Sequence, residues 1–480
     1  MGHRSIFQTI GFYLGPVLAL IILLSEPPLG LSPDAWKVVA LGSWMAIWWG
    51  TEAIPIPVTS LLPLIFLPLA GVGVMKDAAT PYASSIIFLL LGGFIIAMAM
   101  ERWNLHKRIA LNILALFGDR PTAIIGGFMA ATAFLSMWVS NTATTLMMIP
   151  IALSVGQAIV GPDDKHNPFI IALLLGIAYA ASIGGMGTII GTPPNVMMVG
   201  YLSETLNIDI SFTQWMMFGV PVVLVLTPTA WFVLTKLSFK IDNNISNQGG
   251  LVVDQELAKM GNISPPEQKV AIIFIIIALM WIFRLPLNNL PILENLSDTG
   301  IAILGAFLMF IVPAGSKDEK PQALLTWDWA VRIPWGVLLL FGGGLSLAAA
   351  VSSTGLAIWL GESLSPLTTF HLILLMLAII TMIIFLTELT SNTATTATLL
   401  PVLGAIAITG GIDPILLAAP AAIAASCAFM LPVATAPNAI VFSSGRVHIP
   451  DMAGAGFRLN IIAIILLTGL SYMLIPVIFT

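Results

Sequence analysis

The run Ser140-Asn141-Thr142-Ala143-Thr144-Thr145 recurs letter for letter as Ser391-Asn392-Thr393-Ala394-Thr395-Thr396, 251 residues further on. Each copy interrupts an apolar stretch of about 40 residues, 121–160 and 366–410. A helix needs about 20 apolar residues to cross a bilayer, so each stretch can enter and return. Irregular backbone at membrane depth is tolerated only where it is buried in protein or lines a cavity. The two stretches therefore read as helical hairpins that turn at the polar run. Two further matches follow in the same order. FLLLGGF (88–94) pairs with LLLFGGG (338–344), and GTPPN (191–195) with ATAPN (434–438). A duplicated unit accounts for all three.

The composition fits a membrane setting. The chain has 480 residues, of which 58% are hydrophobic and 9% charged, with a mean hydropathy of +1.00. Soluble domains carry about 25% charge, so a soluble globular enzyme is excluded, and disorder is excluded by the same apolarity. The net charge of −5 leaves no basic footprint for nucleic acid. The one cysteine, Cys427, permits no internal disulfide and reads as a small buried hydrophobe.

Eleven further apolar runs predict spans at 8–25, 36–50, 54–72, 83–100, 168–200, 214–235, 268–283, 298–313, 333–351, 415–445 and 453–478. Continuous runs such as AIIFIIIALMWIF (271–283) exclude the alternation of a β-barrel. The first run has no small-x-small cleavage site behind it and reads as a retained span. With the N-terminus in the cytoplasm, fifteen basic residues fall inside and only Lys37, Lys76 and Arg284 outside. The first hairpin then opens to the cytoplasm and the second to the outside. The polar stretch at 241–267 is a cytoplasmic linker, and the second copy follows it upside down. Inverted repeats with broken helices are a recurring transporter design, with the binding site near the bilayer midplane.

The chemistry follows from the breaks. Where one helix ends, free carbonyls carry partial negative charge; where the next begins, free N–H groups carry partial positive charge. Ser, Asn and Thr cap such beginnings. Neutral oxygens suit a hard cation such as Na⁺. Ser136 lies one turn before Ser140 and faces the same point, and Thr387 and Thr390 stand on the matching side of Asn392. Prolines break two more spans. There Gly191 and Ala434 bring carbonyls to an ion, and Thr192 and Thr435 add hydroxyls. Arg and Lys are absent from the tips, so the counter-charge for an anion must be mobile. A dianion entering a negative interior costs roughly 4.6 kcal/mol per 100 mV, which two Na⁺ cancel.

The SNT pair, the GTPPN break, WWGTEAIPIPVTSLLP (48–63) and TELTSNTAT (387–395) resemble the divalent anion:sodium symporter family, the sodium-coupled di- and tricarboxylate carriers. The resemblance covers nearly the whole chain. It implies an all-α polytopic fold, a homodimer in the inner membrane, and an elevator mechanism. Scaffold parts fall at 1–118 and 268–365, transport parts at 119–240 and 366–480. The first Na⁺ site would use Ser136, Ser140, Asn141 and Gly191, the second Thr387, Thr390, Asn392 and Ala434. Substrate carboxylates would meet Asn141, Thr142, Asn392, Thr393 and Thr435, with Thr192, Pro193 and Ala436 lining the pocket. Similar proteins often carry a second proline where this chain has Ala436, which bears on substrate size. The expected cargo is a C4-dicarboxylate with Na⁺, no organic cofactor being implied. Anion exchange and sulfate transport are the neighbouring alternatives.

Other features read more plainly. The Gly-rich FLLLGGF suits helix packing. Glu52 and Glu388 sit beside the motifs, and either a structural or an ion role fits an acid there. His106 lies on an amphipathic interfacial arm, and His371 and His448 stand alone. H-E-x-x-H, G-x-S-x-G and P-loop motifs are all missing, so hydrolase chemistry has no anchor.

Overall fold

The structure is a computed structural model that describes residues 5–161, 166–242, 249–315 and 322–479. Arg4, Lys165, Lys317 and Lys320, four of the basic residues assigned to the cytoplasm, lie outside the described residues. Helices dominate, as expected, and the described residues form no strand beyond one isolated bridge, Pro313 with Ala323.

The first part of the chain builds α1 (Ile6–Leu24), α2 (Pro33–Thr51), two short turns of α3 (Ile56–Leu69), α4 (Ser85–Arg102) and the arm α5 (Leu105–Leu114). Ser5 and Ser32 cap α1 and α2 with their hydroxyls. Trp48 stacks on Phe12 with ring centres 5.8 Å apart, and its indole N–H donates to the Phe12 carbonyl, which ties α1 to α2. Next come α6 (Pro121–Ser136), α7 (Asn141–Val160), α8 (Pro168–Gly185), α9 (Pro193–Leu206) and α10 (Phe212–Phe232). After α11 (Gly249–Met260) the second part runs through α12 (Pro265–Ile282), α13 (Asp298–Ile311), α14 (Trp335–Ser353) and α15 (Leu356–Leu364). It ends with α16 (Leu372–Thr387), α17 (Asn392–Thr409), α18 (Ile415–Ala425), α19 (Ala436–Ser443) and α20 (Ile449–Ile478).

Both hairpins turn where the polar runs stand. Their limbs α6/α7 and α16/α17 begin 251 residues apart. The two proline runs also break their spans, leaving α8 and α9 in one and α18 and α19 in the other. Nine described helices are long and apolar enough to cross a membrane, or ten if α15 and α16, bent by 116°, count as one span. That number includes α7 and α17, the return limbs of the hairpins, and passes over four of the expected spans: α2, which is not apolar enough, and α3, α13 and α18, which are shorter. The chain is a multi-pass membrane protein.

The hairpins are held in the core by helices from both parts. The α8 helix is buried over nearly its whole length. It crosses α6 so closely that a Cβ at Gly184 would strike the Ala133 carbonyl, so only glycine fits there. The return limb α7 packs on α19, and α17 packs on α9, so each hairpin leans on the broken helix of the other half. The linker helix α11 lies against the arm α5. Lys107 pairs with Glu256 at 3.0 Å, and Arg108 with Glu267 at 2.5 Å.

Candidate functional site

The two hairpin turns are built alike down to individual atoms. The Ser136 hydroxyl lies 2.5 Å from Asn141 Oδ1 and 2.6 Å from the Ala181 carbonyl. At the second turn the Thr387 hydroxyl lies 2.7 Å from Asn392 Oδ1 and 2.9 Å from the Ala425 carbonyl. Ser136 and Thr387 are fully buried. A short hydroxyl side chain at the end of each first limb thus gathers the asparagine of the turn and a carbonyl from the end of the neighbouring broken helix.

The broken spans are held open by a second matched pair. The Asn195 amide donates to the carbonyls of Gly185, Met186 and Thr188 at 3.1, 3.4 and 2.8 Å. The Asn438 amide donates to Ala428 and Leu431, both at 3.0 Å. Proline removes donors from these breaks, and an amide side chain supplies them instead. A Cβ at Gly185 would stand 2.9 Å from the Gly191 carbonyl and 3.0 Å from Asn141 Oδ1. Gly185 therefore leaves a small space walled by neutral oxygens, the donor set a Na⁺ ion takes.

The remaining residues of the two expected Na⁺ sets divide. Ser140 Oγ accepts from the Ala143 N–H and caps α7. Ala434 is buried beside the second turn. Thr390 turns its hydroxyl to the Leu386 carbonyl, at 2.8 Å, and to Thr395 Oγ1, at 2.6 Å.

One cavity of about 530 Å³ collects every residue expected to meet substrate: Asn141, Thr142, Thr192, Pro193, Asn392, Thr393, Thr435 and Ala436. Helices α7, α9, α17 and α19 all begin at its wall. Their positive dipole ends favour an anion, and α7, α17 and α19 add first-turn N–H groups that α9, opening on Pro193 and Pro194, lacks. The rest of the wall was not anticipated. Leu90, Phe94, Met98 and Glu101 come from α4, and Arg332 stands before α14. A second cavity of about 410 Å³ lies beyond the opposite end of α4 and contains Ser85, Glu204, Asp209, Arg284 and Asp298. Leu89 and Ile189 face this one, while Leu90 and Ile190 face the first. The two cavities are thus back to back across α4 and the α8–α9 break.

Glu388 takes the structural role of the two open to it. Its carboxylate is buried and accepts from the N–H groups of Phe429, Met430 and Leu431 and from the Asn460 amide, at 2.7–3.2 Å. Met137 holds the matching place in the first hairpin. Glu52 is exposed at the end of α2, in the left-handed region at φ 49°. His448 is not alone: its Nε2 lies 3.2 Å from that of His166. Gly92 presses on the backbone of Ala302 and Gly93 on Ile190, so the Gly-rich run packs helices.

Comparison with known proteins agrees with this architecture. The family model described as the sodium:sulfate symporter transmembrane region matches residues 9–479. The sodium-dependent dicarboxylate transporter SdcS of Staphylococcus aureus strain USA300 is 43% identical over 478 residues, covering 98% of this chain and 92% of the relative. Its counterpart in strain MRSA252 matches to the same extent. Among solved structures, the YdaH transporter of Alcanivorax borkumensis aligns over 96% of both chains with a TM-score of 0.60 at 14% identity. MtrF of Neisseria gonorrhoeae aligns over 98% of this chain and 94% of its own, with a TM-score of 0.59 at 10% identity. At such identities the likeness is one of fold.

Proposed function

The chain belongs to the sodium:sulfate symporter family, the divalent anion:sodium symporters, and from that premise we propose that it imports C4-dicarboxylates such as succinate, malate and fumarate together with Na⁺. The observation that carries the reading is the matched pair of turns opening on one cavity. Each turn has its own oxygen cluster, Ser136–Asn141–Ala181 and Thr387–Asn392–Ala425. Two tips suit the two ends of a dicarboxylate, and two cations offset its charge. The relatives named as sodium-dependent dicarboxylate transporters support the same cargo.

In this mechanism Asn141 and Asn392 do double duty. Their side-chain oxygens face the cations, while their amide groups and the N–H groups of Thr142 and Thr393 meet carboxylates. Bound Na⁺ thereby orders both tips before the anion arrives, which makes cation and anion binding cooperative. The scaffold at 1–118 and 268–365 stays fixed while the transport parts at 119–240 and 366–480 carry the site across as an elevator. With the N-terminus inside and the C-terminus outside, the cavity edged by Glu101 and Arg332 opens to the cytoplasm. A homodimer in the inner membrane anchors the scaffold.

The test is uptake of labelled succinate into proteoliposomes with and without an inward Na⁺ gradient. Uptake should require Na⁺ and be lost in both Asn141→Ala and Asn392→Ala. Uptake without Na⁺, seen only in vesicles preloaded with dicarboxylate, would replace symport by exchange.

A further inference from the structure

The two cavities differ in how their arginines are committed. In the outer cavity Arg284 is paired with Asp298 at 2.8 Å. In the substrate cavity Arg332 is the one basic residue of the wall among the described residues. It is exposed and has no carboxylate within 4 Å among the described residues. Its guanidinium carbon lies 4.3 Å from the centre of the Trp329 ring. That stacking fixes the side chain without neutralising it, because the ring face attracts a cation but carries no net charge. Among the described residues nothing takes the donors of the guanidinium, which suit a carboxylate. Glu101, on the same wall, is the one acid there among the described residues.

From this arrangement we infer that Arg332 is a substrate-capture residue acting at the cytoplasmic mouth only, with Glu101 opposing it. The inference rests on the dicarboxylate symport reading. Arg332 precedes α14 in the scaffold, whereas both tips move with the transport parts. A charge that stays behind cannot travel with the substrate. It stabilises a dianion while the cavity faces the cytoplasm and loses it when the site moves away. Arg332 therefore changes apparent affinity on one face and leaves the final concentration ratio untouched, since that ratio is set by the ions that cross.

The absence of basic residues from the tips is then complementary. A fixed arginine at the tip would accompany the substrate and hold it at both faces, whereas one at the mouth acts at one face alone. A dianion about 8 Å from a unit charge in water is favoured about fivefold, and screening at roughly 0.15 M ionic strength trims this to about twofold. Such a mouth charge acts mainly through encounter and is salt-dependent.

Everted membrane vesicles present the cytoplasmic face to the medium, and right-side-out vesicles present the external face. Na⁺-dependent uptake of labelled succinate would be measured in both, at low and at physiological ionic strength. Arg332→Gln should raise KM at the cytoplasmic face about fivefold at low salt and about twofold at roughly 0.15 M. Arg332→Lys should keep most of the wild-type affinity, and Glu101→Gln should shift KM the opposite way. KM at the external face, and the accumulation reached at a matched Na⁺ gradient, should not change. Equal shifts at both faces, or no shift at the cytoplasmic face, would overturn the inference while leaving symport standing. A wild-type chain that takes up no succinate in either preparation would overturn both.

Discussion

At the scale of single residues, each turn depends on one hydroxyl. Thr387 joins Asn392 to the Ala425 carbonyl, and Ser136 does the same for Asn141 and Ala181. Thr387→Val keeps the shape but removes the oxygen, leaving buried partners unsatisfied. We expect the Na⁺ concentration for half-maximal uptake to rise about tenfold, with Thr387→Ser restoring it. A Na⁺ activation curve checks this; an unchanged curve would remove Thr387 from the cation site. Glu388 predicts a different phenotype. Its carboxylate serves three backbone donors and the Asn460 amide from a buried position, so Glu388→Ala orphans all four. The cost is about 3 kcal/mol or more, read as a lowered melting temperature in detergent, and Glu388→Gln should lose less. The side chains of both turns were legible in the sequence because the repeat marks them. The carbonyls of Ala181 and Ala425 were not, since a backbone atom leaves no letter and its position depends on where a helix happens to end. Thr390 shows what a letter leaves open: its hydroxyl bonds Leu386 and Thr395 as well as standing beside the second turn.

At the scale of elements, the helix breaks are what the sequence shows most plainly. Polar runs and prolines mark all four, and the structure breaks the chain at each. What lies between them is less regular. The helix before the first proline break has 18 residues and its counterpart 11, so the two halves drift out of register although the turns match. The breaks also differ at two positions, Gly191 against Ala434 and Pro193 against Ala436, and the second bears on the cavity. In α9 the first two residues are Pro193 and Pro194, neither of which has an N–H. In α19 the first is Ala436, exposed to the cavity and keeping its N–H, and only Pro437 follows. Ala436 therefore offers a donor and space that its counterpart lacks. Ala436→Pro should remove one donor from the second tip and narrow the cavity. We expect a several-fold higher KM for succinate and a larger penalty for a tricarboxylate such as citrate. Competition of citrate against labelled succinate measures the difference, and equal penalties for both acids would show that only the donor matters.

At the scale of the whole molecule, the two cavities stand on opposite sides of a thin seal. Leu89 and Ile189 face one of them, and Leu90 and Ile190 the other. This relation joins residues about a hundred positions apart, and no pattern of hydropathy or repeat encodes it. The charges of the mouth were equally hidden, because Arg332 and Glu101 lie outside every motif. The seal makes the proposed motion testable. A Cβ placed on Gly93 would lie 3.5 Å from the Cβ of Ile190, inside the range a disulfide spans. Gly93 belongs to α4, in the proposed scaffold, and Ile190 to the break between α8 and α9, in a proposed transport part. Native Cys427 is fully buried and lies far along the chain, in a sequence that has no other cysteine. A Gly93→Cys/Ile190→Cys variant should form the bond on mild oxidation, trap the molecule with its substrate cavity open to one side, and stop uptake. Reduction should restore uptake, and each single variant should be insensitive to oxidant. Full uptake with the bond formed, verified by thiol counting, would mean that α4 and the α8–α9 break travel together. The boundary between fixed and moving parts would then have to lie elsewhere.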